Sequence, residues 1–528
     1  MLVSFSVENY KSFENEGILE MAPGNSRSKS DHIRNDCLKV AAIYGPNASG
    51  KSNLIQALGM MKRIATSRYA YGKEPLYNWN SGKTITSFCI EFSKNKTLYH
   101  YEIDVESIRT VDSRPSKTMY LYPVRREALF VSDLENCISR DGSIHEREVY
   151  DRRLPADSHE SWILDQLSEY TRLCSLLSSC NEYSPSRKLK LQSESKRYLH
   201  AYAFDDVDRL VKDEERKAQL VASHRRYMLR NSIKRTKRLL NLYAYQLGNL
   251  PKTITSEEDY SWKSLEYRNA SVDSDEIRFA KDVYQWFMND LVILGTSDIL
   301  IPDSEDLDPL SEVLKELNLG IESVIWEKKG DIAFRQIVDS LDIDSRTIYD
   351  SAVSDSHNAG YVSSFIKKTN LGVFRFVIGS NKCKVEELVP EHTGRPKLGL
   401  YSESDGTVRL IELSSVLIPT TRETTFVVDE LDRRLHPLLS KRFIELYMAD
   451  DSPFKQLIFS THESELMTTE LFRKDEIWFV QKIDGRSEMI SLDRVNKVNY
   501  NRRLSRLYLD DKVLPGIPHI SKSDSDKG

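Results

Sequence analysis

Three short runs carry apolar or β-branched residues at nearly every position: Val40 to Tyr44, Thr425 to Val428 and Gln456 to Ser460. Runs of this length and density read as strands buried on both faces, as in a parallel sheet covered by helices. A second pattern alternates. Ser87 to Phe92 and Leu98 to Ile103 place every other side chain on an apolar face and are joined by Lys94-Asn95-Lys96, which predicts an antiparallel hairpin beside the main sheet. Val373 to Ile378 reads as a further strand. Helical spacing appears in Asn53 to Leu58, Leu164 to Leu177, Lys188 to Phe204, Leu410 to Leu417 and, rich in aromatics, Ile277 to Leu294. Between Leu229 and Leu247 apolar or small residues alternate four and three apart, close to a coiled-coil seam. Asp303 to Asp308 reads as an acidic linker, and the polar tail 521–528 as disordered.

The chemistry sits at the ends of the buried strands. Val40 to Tyr44 runs into Gly45-Pro46-Asn47-Ala48-Ser49-Gly50-Lys51-Ser52-Asn53, a complete G-x-x-x-x-G-K-S loop opening a helix. Its backbone N–H groups would cradle phosphates, with Lys51 on the β/γ-phosphates and the Ser52 hydroxyl on Mg²⁺. Thr425 to Val428 ends in Asp429-Glu430. A carboxylate pair at the end of a buried strand is costly to desolvate unless used, so Asp429 is assigned to Mg²⁺ and Glu430 to polarising the attacking water. His462 ends the third run, placed to touch the γ-phosphate. Ser404 and Gly406, just ahead of Leu410 to Leu417, form a second anion-binding helix start.

In this order, and with the acidic strand about 380 residues after the loop, the motifs resemble the heads of the ABC and SMC ATPases rather than the hexameric AAA+ layout. The opening Met1 to Phe13, Ser404-Asp405-Gly406-Thr407, and Asp429-Glu430-Leu431-Asp432 followed by Leu435-His436-Pro437 are similar to the single-headed ATPases of prokaryotic defence. These include the ATP-binding subunits of Septu, PARIS and retron-associated systems, relatives of the overcoming-lysogenisation nucleases. The resemblance implies an α/β head, a mixed sheet flanked by helices with a large helical insertion. It implies ATP and Mg²⁺ as cofactors, a homodimer in which the Ser404–Gly406 signature closes over nucleotide on the other head, and a separate nuclease effector of HNH or TOPRIM type. Asp432 would meet the partner head, and His436 would lie on the following helix. The domains expected are residues 1–125 and 365–520 for the two parts of the head, 126–364 for the insertion and 521–528 for the tail. No glutamine stands between Gln56 and Gln166, so the usual Q-loop ligand is not identified. Arg433-Arg434 reads as an exposed pair, and His392 as a loop residue.

The remaining composition narrows the classes. Hydrophobic residues at 40%, charged residues at 29% and no apolar run of membrane-spanning length point to a cytoplasmic protein without a membrane partner. Six cysteines without a CxxC pair fit reduced thiols, and none is spaced for zinc. The net charge of −5 hides one asymmetry, nine Lys/Arg and no Asp/Glu from Arg216 to Arg238. That basic helix is a lever, a partner dock, a nucleic-acid grip or a solvated face on a structural arm. Two alternatives to the defence ATPase are a nuclease of the overcoming-lysogenisation kind and an SMC/RecF-like DNA-repair ATPase. The first lacks a carboxylate cluster beyond the head, because Asp510-Asp511 and Asp524-Ser525-Asp526 fall too late, and the second wants longer heptad arms.

Overall fold

The computed structural model describes residues 1–24, 29–66, 71–110, 119–122, 124–133, 146–153, 275–295, 300–301, 304, 306–330, 337–338, 363–369, 371–378, 383–394, 397, 399–495 and 504–509. The segments 164–177, 188–204 and 216–238 and the tail 521–528 lie outside them.

Alternation builds one layer. Strands Ile85–Lys94 and Thr97–Glu106 pair antiparallel around Asn95 and Lys96, both in the left-handed region at φ 51° and 65°, as a two-residue hairpin turn with the twist of its strands requires. Phe88, Ile90 and Phe92 with Tyr99, Tyr101 and Ile103 fill the inner face. The sheet has six strands in the order 147–153, 124–133, 97–106, 85–94, 2–8 and 17–20. Trp286 stacks on Phe92 with ring centroids 4.3 Å apart, docking the helix Asp275–Gln285 and its π turn Trp286–Asp290 onto this layer.

The unbroken apolar runs build the other layer. Its six strands lie in the order Leu291–Leu294, Thr424–Val428, Lys455–Ser460, Val40–Tyr44, Ile477–Ile483 and Arg486–Ser491, the first five mutually parallel and the last antiparallel. Every residue of Val40–Tyr44, Thr424–Val428 and Lys455–Ser460 is buried, as strands covered on both faces demand. Ala41 and Ile43 face a core shared with the helix Lys51–Thr66 and the antiparallel sheet. Val40, Ala42 and Tyr44 face a second core with the helices Asp308–Glu316, Asp405–Leu413 and Pro437–Ala449. A four-stranded antiparallel sheet, ordered 323–328, 383–391, 372–378 and 363–369, flanks the second core. This mixed sheet between helices is the architecture expected.

Described parts of 126–364 take places in both sheets. Val124–Asp133 and Arg147–Arg153 complete the six-stranded antiparallel sheet, and Leu291–Leu294 is an edge strand of the parallel sheet. The segment Ile277 to Leu294 is not one helix: after Asp290 the chain extends, because Leu291 to Leu294 finds open ladder positions beside Thr425 to Val428. The signature helix is Asp405–Leu413, with a 3₁₀ turn Ser414–Val416 after it. Asp308 belongs to a helix rather than a linker.

Candidate functional site

The loop 45–52 leaves its strand at the carboxyl edge of the parallel sheet, where three neighbouring strands end together. Two glycines in it are sterically obligatory. A Cβ on Gly45 would collide with the Val480 carbonyl, and one on Gly50, at φ 118°, with the Ser487 hydroxyl. The loop is braced from outside: Ser487 Oγ donates to the Ser49 carbonyl at 2.5 Å, Asn53 Nδ2 donates to Ser12 Oγ at 2.7 Å, and Ser487 N–H donates to the Ser12 carbonyl at 2.8 Å. Pro46 accepts from Ser49 N–H, and Ala48, at φ 61°, turns the loop back toward the helix. The Lys51 ammonium lies inside, donating to the Gly45 and Pro46 carbonyls at 2.6 and 3.1 Å. Burial lowers its pKa to about 8, against the pull of Asp429, Asp432 and Glu430.

Ser52 Oγ donates to Asp429 Oδ1 at 3.2 Å across 377 positions of sequence. The same carboxylate oxygen accepts a 2.6 Å bond from Ser460 Oγ, on the strand between the loop strand and the acidic strand. Ser460 Oγ in turn accepts from Glu430 N–H at 2.8 Å, so one buried hydroxyl fixes both acids. Asp429 is 7% exposed, whereas the Glu430 side chain is 36% exposed and faces Arg433 Nε at 3.9 Å. Glu430 holds φ 49°, a left-handed conformation unfavourable for a residue with a long side chain. His462 follows the neighbouring strand, its backbone N–H donating to the Asp432 carboxylate at 3.3 Å. Burial first, and the Lys51 ammonium second, keep its imidazole below the ordinary histidine value and therefore neutral at pH 7.

The signature lies on the exposed surface. Ser404 caps its helix, its Oγ accepting from Thr407 N–H at 3.1 Å. A Cβ on Gly406 would come within 3.1 Å of the Arg434 carbonyl, so the helix start sits directly against the turn that follows the acids. His436 caps Pro437–Ala449 rather than lying within it, its Nδ1 accepting from Leu438 N–H at 3.2 Å. His392 bridges the Gly320 carbonyl and Glu403, each at 2.7 Å.

Sequence reasoning missed two residues. One is Ser460. The other is Arg409 of the signature helix, 2% exposed, whose guanidinium donates to the carbonyls of Asp429 and Glu430, both at 3.2 Å, and to Glu412 at 3.3 Å. Glu412 also accepts from Lys368 of the four-stranded sheet. The only sequence signal for Arg409 is a cation set between Val408 and Leu410, three positions before Glu412.

No curated protein matches this chain. The fold resembles solved Smc heads at low similarity. One is the Smc head bound to the C-winged helix domain of ScpA, with 14% identity, a TM-score of 0.34, and 94% of this chain and 99% of that chain covered. A second is the Smc head domain with an extended coiled coil bound to the C-terminal domain of ScpA, derived from Pyrococcus furiosus, with 14% identity, a TM-score of 0.34, and 93% and 97% covered. The SMC head domain from Thermotoga maritima has 13% identity and a TM-score of 0.30, with 93% and 98% covered. TM-scores this low leave the sheet order itself as the ground for the fold class. Residues 40–468 match the family described as "AAA domain, putative AbiEii toxin, Type IV TA system". From the strand ahead of the phosphate loop to beyond His462, more than half its length, the chain belongs to that family of AAA-type ATPase domains, and its nucleotide is ATP.

Proposed function

We propose that the chain is the ATP-binding and hydrolysing subunit of a prokaryotic anti-phage defence complex, in which two heads close over ATP and pass the change to a partner nuclease of HNH or TOPRIM type. The observation that carries the hydrolytic part is the meeting of Lys51 and Ser52 with Asp429 and Glu430 at one sheet edge, Ser52 and Asp429 in direct hydrogen bond. In this reading the loop N–H groups and Lys51 hold the phosphates. Ser52 and Asp429 hold Mg²⁺, an all-oxygen pair suited to a hard cation, which when bound supplies charge neutralisation at the phosphates. Glu430, more open than Asp429, polarises water, and neutral His462 donates or accepts a hydrogen bond at the γ-phosphate.

Dimer closure draws its support from the surface around the signature. Ser404 is exposed, and Tyr401 and Leu438 are large apolar side chains exposed at 70% and 68%. Ser404 and Gly406 would cap nucleotide on the opposite head, with Asp432 and the exposed pair Arg433 and Arg434 on the same rim. A mixture of Lys51→Ala and Ser404→Arg chains then restores one competent site of two, where neither variant alone hydrolyses ATP. An inactive mixture, with only monomers by light scattering in ATP, rejects the closure. For the partner, the cations from Arg216 to Arg238 are the proposed contact, either with nucleic acid or with the nuclease. A nucleic-acid role gives a steep salt dependence that flattens when several are changed to glutamine while ATP turnover persists.

A further inference from the structure

The outer face of the antiparallel layer carries an arrangement that the ATPase chemistry does not use. In the hairpin register Cys89 stands opposite Glu102, and Glu91 opposite His100. Alternation places all four on the face away from the core, each half-buried. Two neighbouring strands, each contributing residues i and i+2, thus present four metal-ligating side chains as a square. Sequence spacing hides this, because Cys89 and His100 lie eleven positions apart across a turn.

We propose that Cys89, His100 and Glu102 form a zinc site. Sγ of Cys89 lies 3.6 Å from Nε2 of His100, and Oε1 of Glu102 lies 3.0 Å from the same nitrogen. All three donor atoms lie within 4.8 Å of one another. Tetrahedral zinc with Zn–S of about 2.3 Å and Zn–N or Zn–O of about 2.0 Å separates sulfur from nitrogen by about 3.5 Å and nitrogen from oxygen by about 3.3 Å. The two separations from His100 Nε2 are therefore already within a few tenths of an ångström of those of a coordinated ion. A mixed thiolate, imidazole and carboxylate set suits zinc better than magnesium or calcium.

The surroundings orient the ligands. Glu91 Oε1 lies 3.1 Å from His100 Nδ1, the carboxylate–histidine contact that leaves Nε2 for a metal, and Ser4 Oγ holds the other oxygen of Glu91 at 2.7 Å. Arg126 takes Oε2 of Glu102 at 2.5 Å and is itself held by Asp151 at 2.9 Å, turning Oε1 toward the site. Three protein ligands leave a fourth position for water. The ion would staple the hairpin on the layer whose first strand, Leu2–Glu8, leads into the turn that braces the phosphate loop at Ser12. When no metal is bound, the same contacts hold a proton on the imidazole between Glu91 and Glu102.

The test uses the full chain, stripped with EDTA and dialysed, then titrated with Zn²⁺ against a chromophoric chelator and with Co²⁺ by absorption. One equivalent of Zn²⁺ should bind, with a thiolate-to-cobalt charge-transfer band. Cys89→Ser and His100→Gln should each weaken zinc by more than about 100-fold and remove or shift the band, and Glu91→Gln should weaken it about 10- to 100-fold at unchanged stoichiometry. Cys37→Ser, a buried thiol elsewhere, should change nothing. Lys51→Ala should bind zinc as the parent does, which separates this site from the nucleotide reading. Melting in EDTA checks that each variant folds, and zinc should raise the parent's Tm but not that of His100→Gln. No zinc uptake by the parent chain, or parental affinity in both Cys89→Ser and His100→Gln, overturns the site and leaves a proton-centred ion-pair cluster.

Discussion

The two sheets assemble chemistry in opposite ways. In the parallel sheet the candidate side chains gather beyond the strand ends, and the groups that meet come from distant sequence, Ser52 reaching Asp429 over 377 positions. In the antiparallel sheet the polar square lies mid-strand, and one hairpin supplies all four members. Strand ends gather whatever the topology brings to one edge, so distance along the chain matters little there. A hairpin face instead gathers whatever the register sets opposite, and one slipped position would turn the whole set into the core. The first arrangement is vulnerable at connections and braces. The second is vulnerable at its turn.

The largest effect should come at the sheet edge. Glu430→Gln should retain ATP binding by equilibrium dialysis and lose about 100-fold or more of its turnover. Parental hydrolysis by that variant would remove Glu430 from the chemistry. Next comes the brace beneath it: Arg409→Met takes the donor from the carbonyls of Asp429 and Glu430 and leaves Glu412 with Lys368 as its cation, and should destabilise the fold by about 2 kcal/mol in urea denaturation. Ser460→Ala leaves Glu430 N–H without its acceptor and Asp429 with only the donor Ser52, with an expected loss of about 1–2 kcal/mol and a turnover reduced about tenfold.

A pH series tests Lys51 more gently. Burial holds its ammonium at about 8, and bound phosphate favours the charged form. ATP affinity should therefore be flat below about pH 7 and fall toward about tenfold per unit above pH 8, while Lys51→Arg stays flat across the range. The smallest effect belongs to the hairpin. Lys96 sits at φ 65°, so Lys96→Gly should raise stability by about 0.5 kcal/mol and leave ATP turnover unchanged. A change in turnover would mean that the two sheets are coupled more tightly than their separate construction implies.

Legibility in the sequence followed the same division. The phosphate loop, the acidic strand and the His462 strand end could be read because each is a local word: an apolar run followed at once by its chemistry. The hairpin was legible through alternation, and its turn through Asn95-Lys96. Leu291 to Leu294 was not, because four apolar residues after an aromatic helix look like more helix until the open ladder beside Thr425 to Val428 is known. Ser460 and Arg409 were hidden for another reason. Their tie to the two acids lies in hydrogen bonds to partners 20 to 31 positions away, which local sequence does not show. The outward square was hidden likewise, since register and not spacing sets Cys89 beside His100.

The left-handed backbone of Glu430 carries a consequence for selection experiments. A glutamate at φ 49° is held there against its own preference by about 1 kcal/mol, whereas glycine or asparagine adopts that conformation readily. A library screened only for heat resistance should therefore enrich Glu430→Gly and Glu430→Asn, chains that survive heating better and have lost turnover. With the role proposed for Glu430, heat and turnover select for opposite residues at this one position, and a screen that imposes both should return glutamate.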